Sequence, residues 1–82
     1  MRVVATIPHP SIGITVFSMN DKWVVKLEAG PMEQTFKFNA DEVKGIEDIK
    51  KILDEEFIKQ AIVRFNEMFA GMKAGLEKKN KV

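Results

Sequence analysis

The sequence contains no cysteine. Disulfides, thiolate nucleophiles and thiolate metal sites are excluded together, and nothing in the chain calls for an oxidising compartment. There is one histidine, His9. With one imidazole and no thiol, a zinc centre is improbable. No segment approaches the ~20 apolar residues of a membrane span. The start, from Met1 to Pro8, has one basic residue and an apolar run too short for a secretory signal. A cytoplasmic location is therefore the expectation. No GxGxxG or Walker-type string occurs, so phosphate-cradling loops are missing too. The acidic groups Asp41-Glu42 and Asp54-Glu55-Glu56 lack the alternating oxygens and glycine turn of a calcium loop. Neither cofactor nor metal is expected, and no catalytic residue can be nominated.

What is present is ordinary for a folded chain. Of the 82 residues, 45% are hydrophobic and 30% charged, which argues against disorder. The length suits a single domain over 1–82 with a thin stability margin, and self-association would add burial. The net charge is +1 but unevenly spread. Residues 40–60 carry seven acids against four bases, and residues 61–82 carry five bases against two acids. Acids early and bases late in a helical region complement helix dipoles.

The first half reads with period two and the second with period near 3.6, changing between Asn39 and Gly45. The expected architecture is α+β: a four-stranded antiparallel β-meander with one face covered by two C-terminal helices. Strands are expected at about 2–7, 12–19, 22–29 and 32–39. Asn20-Asp21 tolerates the positive φ of a two-residue hairpin. Gly30-Pro31 suits a type II′ turn, with glycine supplying the positive φ. These turns pair Val16 with Val25, Ile14 with Leu27, Leu27 with Gln34, Val25 with Phe36 and Trp23 with Phe38. The first loop would pair Ile7 with Ile12, Ala5 with Ile14 and Val3 with Val16. All three hairpins then agree on one apolar face, which a one-residue slip would destroy.

From Ile46 to Lys79 a single helix would run ~50 Å, far beyond an eight-residue strand of ~26 Å. A break at Leu53 to Glu56 is therefore expected, with Asp54 capping the second helix. Helices are expected at about 46–53 and 55–70, with Glu47–Lys51 and Glu55–Lys59 as i,i+4 pairs. Gly71 is expected to end the second helix, leaving 71–82 as a frayed helix or tail. The small-xxx-small spacing of Gly71 and Gly75 is read first as part of that ending, with a helix–helix contact as the alternative.

The stretches Lys22 to Glu28, Glu33 to Lys37 and Ile46 to Phe57 resemble a family of small bacterial proteins to which no activity is assigned. The resemblance spans about two thirds of the chain. It implies the layout above and a bacterial origin, and no chemistry.

Side chains on the opposite sheet face limit the functional options. The expected register puts Arg2, Phe17, Val24 and Lys37 in one row, and Val4, Thr15, Lys26 and Thr35 in the next. Met19 and Lys22 lie at one end, with Glu28 and Glu33 at the other. One aromatic among basic groups could serve a weak single-stranded nucleic-acid binder through Arg2, Phe17, Lys22, Lys26 and Lys37, although such platforms usually present more than one aromatic. The plainer reading is a solvated face on which Phe17 packs over Val24. A dimer contact could use Phe17, Met19 and Val24. Met68, Phe69 and Met72 offer a second apolar surface, one that needs a partner if the last helix outruns the sheet. His9, held between Pro8 and Pro10, is read as an exposed loop residue. A small-ligand protein or enzyme with a pocket between sheet and helices near His9 is the remaining alternative. The expected role is a small non-catalytic interaction or structural protein, a homodimer, with no membrane contact and with nucleic acid not expected as a partner.

Overall fold

The structure is a computed structural model, and residues 2–79 are described. Four strands, β1 (Arg2–Ile7), β2 (Gly13–Met19), β3 (Lys22–Ala29) and β4 (Met32–Asn39), form one antiparallel sheet in the order β1-β2-β3-β4. Two helices follow, α1 (Ile46–Ile52) and α2 (Glu55–Lys78). The α+β meander read from the sequence is the observed fold.

The two tight turns set the register as expected. Asn20 has φ 51 and Gly30 has φ 60. Ser18 pairs Trp23, Val16 pairs Val25 and Ile14 pairs Leu27. Across the next hairpin Trp23 pairs Phe38, Val25 pairs Phe36 and Leu27 pairs Gln34. Inward-facing residues therefore line up across three strands, and Val16, Val25 and Leu27 are fully buried.

The first hairpin departs from expectation. Ile7 pairs Ile14 and Ala5 pairs Val16, two residues from the proposed register. Pro8 and Pro10 have no N–H to give a ladder, so the connecting loop widens to take them in. A shift of two keeps Ala5 and Ile7 pointing inward. Beyond them a β-bulge falls between Val3 and Ala5, so that Val3 pairs Phe17 and Arg2 pairs Ser18. One extra residue reverses the facing of everything before it. Arg2 thus leaves the outer face, and Val3 takes its place beside Phe17.

The core joins Ile14, Val16, Val25 and Leu27 of the sheet to Val43, Ile49 of α1, and Ile58, Ala61 and Phe65 of α2. The indole N–H of Trp23 donates to the Val43 carbonyl at 3.0 Å, tying the sheet to the connection before α1. The Asp48 carboxylate accepts from the Lys44 backbone N–H at 2.8 Å and steadies the start of α1. The break between the helices is where the sequence placed it. Asp54 caps α2 by accepting from the Phe57 N–H at 2.9 Å. Neither Glu47–Lys51 nor Glu55–Lys59 closes to ion-pair distance; the ion pair among the described residues is Lys26–Glu33, at 3.3 Å. Exposed pairs of that kind gain little from ordering two long side chains.

The end of α2 is the main correction. Gly71 does not terminate it, and helix continues through Gly75 to Lys78. Residues 80–82 of the expected tail lie outside the described residues. A backbone that carries no side chain can still be helical; each glycine lowers helix stability by roughly 1 kcal/mol relative to alanine without forbidding the conformation. With 24 residues, α2 is ~36 Å long. It is anchored along β4. Phe57 meets the Phe36 ring edge-on at 5.2 Å, and the Ala61 carbonyl accepts from Gln34 at 2.9 Å. As α2 advances from Phe57 to Ala61, its partner on β4 moves from Phe36 back to Gln34, toward the Gly30-Pro31 turn. Phe65 is the last buried residue of the helix. From there α2 overruns the sheet. The molecule measures 52 × 26 × 19 Å, with a radius of gyration of 15.2 Å, against about 12 Å for a compact chain of this length.

Candidate functional site

The outer sheet face brings together Val3, Phe17, Val24 and Lys37 in one row and Thr6, Thr15, Lys26 and Thr35 in the next. Met19 pairs Lys22 at its end. Val24 is only 5% exposed, yet it stands outside the core cluster. Its shield is the half-buried Phe17 and the other cross-strand neighbours on its own face. Of the five residues considered for nucleic acid, Arg2 lies in the opposite row and Lys26 is paired with Glu33. Phe17, Lys22 and Lys37 share the face.

His9 is half-buried. Its Nδ1 accepts the backbone N–H of Ser11 at 3.0 Å, so the imidazole closes its own loop and does not engage the Ser11 hydroxyl there. The ring also borders a groove of about 660 Å³ between this loop and the start of α2. Leu53, Ile58, Ile62 and Val63 form the apolar wall of the groove, and Asp54, Glu55, Glu56 and Lys59 its rim. One Asp54 oxygen is committed to the helix cap, and Glu56 accepts from Gln60 at 3.0 Å. No group of three or more metal-ligating side chains occurs among the described residues. Such a groove can bury an apolar row and fix charges at its lip.

The third feature is the overhang of α2. Ile58, Ile62, Phe65, Phe69, Met72 and Leu76 recur at alternating spacings of four and three, the period of a helix–helix seam. The first three meet the sheet or the groove. Beyond Phe65 the seam runs on without cover: Phe69 is 49% exposed, Leu76 54% and Met68 37%, while Met72 is half-buried. Met68, Phe69 and Met72, chosen from sequence, do fall together. The 51%-exposed Val63 was missed. Leu76 keeps the same helical spacing in the sequence, but with Gly71 expected to end the helix it was not counted in that surface.

No family model, curated protein or solved structure matches the chain. The likeness to small bacterial proteins therefore adds nothing to the reading of these surfaces. Among the described residues, no helix is long and apolar enough to cross a membrane.

Proposed function

We propose that this protein is a non-catalytic self-association module and that the overhang of α2 is its contact surface. One observation carries this reading: an apolar seam continues for three further positions, Phe69, Met72 and Leu76, after the sheet beneath it has ended. Isolated short helices are marginal in water, and most helical stability comes from packing an amphipathic face. A second copy supplies such packing. The outer sheet face competes poorly for this role, since Val24 is nearly buried already and Phe17 half so. A nucleic-acid reading is weakened by the loss of Arg2 from that face and by the pairing of Lys26.

Sedimentation equilibrium tests the proposal. The wild-type chain should be dimeric at tens of micromolar. The double variant Phe69→Asp/Leu76→Asp should be monomeric with an unchanged sheet signal in circular dichroism. A wild-type monomer throughout that range would refute the proposal.

A further inference from the structure

Resting on the self-association proposed above, we infer that the two overhangs pair with each other, antiparallel, about a two-fold axis at Met72. Only exposed or half-buried side chains beyond the sheet take part: Met68, Phe69, Met72 and Leu76. At about 100° per residue these four fall within an arc of about 100° on α2, and Ile58, Ala61 and Phe65 lie within the same arc. The open stripe is thus the forward extension of the side that rests on the sheet. Of the charged residues between 66 and 78, Glu67, Glu77 and Lys78 stand about 130° or more from the centre of the stripe, and Lys73 about 90°. Pairing on the stripe therefore buries no charge, which would be costly.

Direction follows from sterics. A second helix packed on the stripe lies ~8–10 Å from α2, in the layer that the sheet occupies beneath residues 55–65. In the parallel sense, residues 55–65 of each copy would run into the sheet of the other. In the antiparallel sense the second helix comes in from the free end and stops where it reaches the sheet.

Register follows as well. Phe65 is the last buried residue of α2, and Lys78 is its last helical one. The helices can therefore overlap along 66–78, ~20 Å, and the midpoint of that stretch is Met72. Met72 then meets its own copy on the axis. Phe69 of each copy meets Leu76 of the other, which pairs the two most exposed residues of the stripe, at 49% and 54%. Met68 lies over Gly75 of the other copy, where open space surrounds the Cβ position. A closed two-fold contact of this kind uses the same patch on both copies. As a flat strip ~10 Å wide, the overlap covers on the order of 200 Å² of each copy. That is well under the ~800 Å² per partner of a standard interface. The dimer should therefore be weak and dissociate on dilution.

Self-contact at the axis supplies the test. Met72→Glu and Met72→Lys should each be monomeric by sedimentation, because like charges face each other, and an equimolar mixture of the two should regain the dimer. A dimer from either variant alone, or a mixture that does not pair, would take the axis away from Met72 and overturn the geometry. Pulsed electron paramagnetic resonance reads the direction separately. The chain has no cysteine, so one added cysteine on the solvent side of α2 carries the only spin label. In an antiparallel pair centred on Met72, the two copies of a residue separate along the helix by ~3 Å for each position away from 72. Labels at Gln60→Cys should therefore lie ~15–20 Å farther apart than labels at Ala74→Cys. Equal distances would mean a parallel pair, and a shorter distance at Gln60 would move the contact toward the start of α2. Either result overturns this geometry and leaves self-association standing. A wild-type monomer at tens of micromolar would remove both this geometry and the proposal beneath it.

Discussion

The side-chain oxygen of Gln34 accepts from Arg64 Nε at 3.0 Å while its nitrogen donates to the carbonyl of Ala61. Gln34 stands on the inward face of β4, opposite the fully buried Leu27. Its carboxamide uses both ends to clamp α2 onto the sheet. The same contact holds the Arg64 guanidinium 6.0 Å from the centre of the Phe36 ring, within the range of a cation–π attraction. One polar residue in an apolar row thus fixes where α2 lies and how far along β4 it reaches.

Removing that clamp has a calculable consequence. Gln34→Ala loses two hydrogen bonds and frees Arg64 to solvent. The expected loss is about 1–2 kcal/mol of folding stability, at about 1 kcal/mol net for a typical bond. Urea denaturation followed by circular dichroism measures it. No change in midpoint would mean that apolar contacts alone, such as Phe36 on Phe57, seat the helix.

The turns offer a test on the backbone alone. Gly30 has φ 60, and an added Cβ would meet nothing within 4 Å. Any penalty for Gly30→Ala is therefore conformational and not steric against a neighbour. An L-residue in the left-handed region costs roughly 1–2 kcal/mol, and the variant should lose about that much. Asn20 already bears part of this cost at φ 51, so Asn20→Gly should change stability in the opposite sense or not at all. A neutral Gly30→Ala variant would show that the hairpin can re-form with another turn.

These turns also show why so much of the fold could be read from the residues. Asn20-Asp21 and Gly30-Pro31 are two-residue connections, and a connection that short leaves one register open to strands whose apolar residues alternate. Ser18 to Trp23 and Leu27 to Gln34 followed directly. The loop from Pro8 to Ile12 has no such rigidity. Its prolines constrain φ but do not fix a pairing, and nothing in Val3-Val4 announces the bulge that takes Arg2 out of the outer-face row. At the other end, Gly71 carries two opposite meanings. Past the edge of a sheet it reads as a stop, yet inside an uninterrupted seam from Ile58 to Leu76 it is a weak point in a longer helix. The groove beside His9 was legible only as a place, because its wall comes from side chains of α2 whose rotation depends on how Gln34 and Phe36 seat the helix.

The weak point in α2 gives the last prediction. Residues beyond Phe65 gain no burial from the sheet, so in a monomer this stretch should open without unfolding the domain. In the monomeric Phe69→Asp/Leu76→Asp background, amides at 70–78 should exchange with solvent far faster than those at 58–65. Gly71 stands inside this stretch with open space where a Cβ would go. Gly71→Ala should then gain close to the full helix-propensity difference, about 1 kcal/mol, which slows local exchange about fivefold. The global unfolding midpoint should hardly move, since the overhang has melted before the core does. A large rise in that midpoint would mean that the overhang is coupled to the core within one chain. The uncovered seam would then have a partner inside the molecule, and self-association would lose its main support.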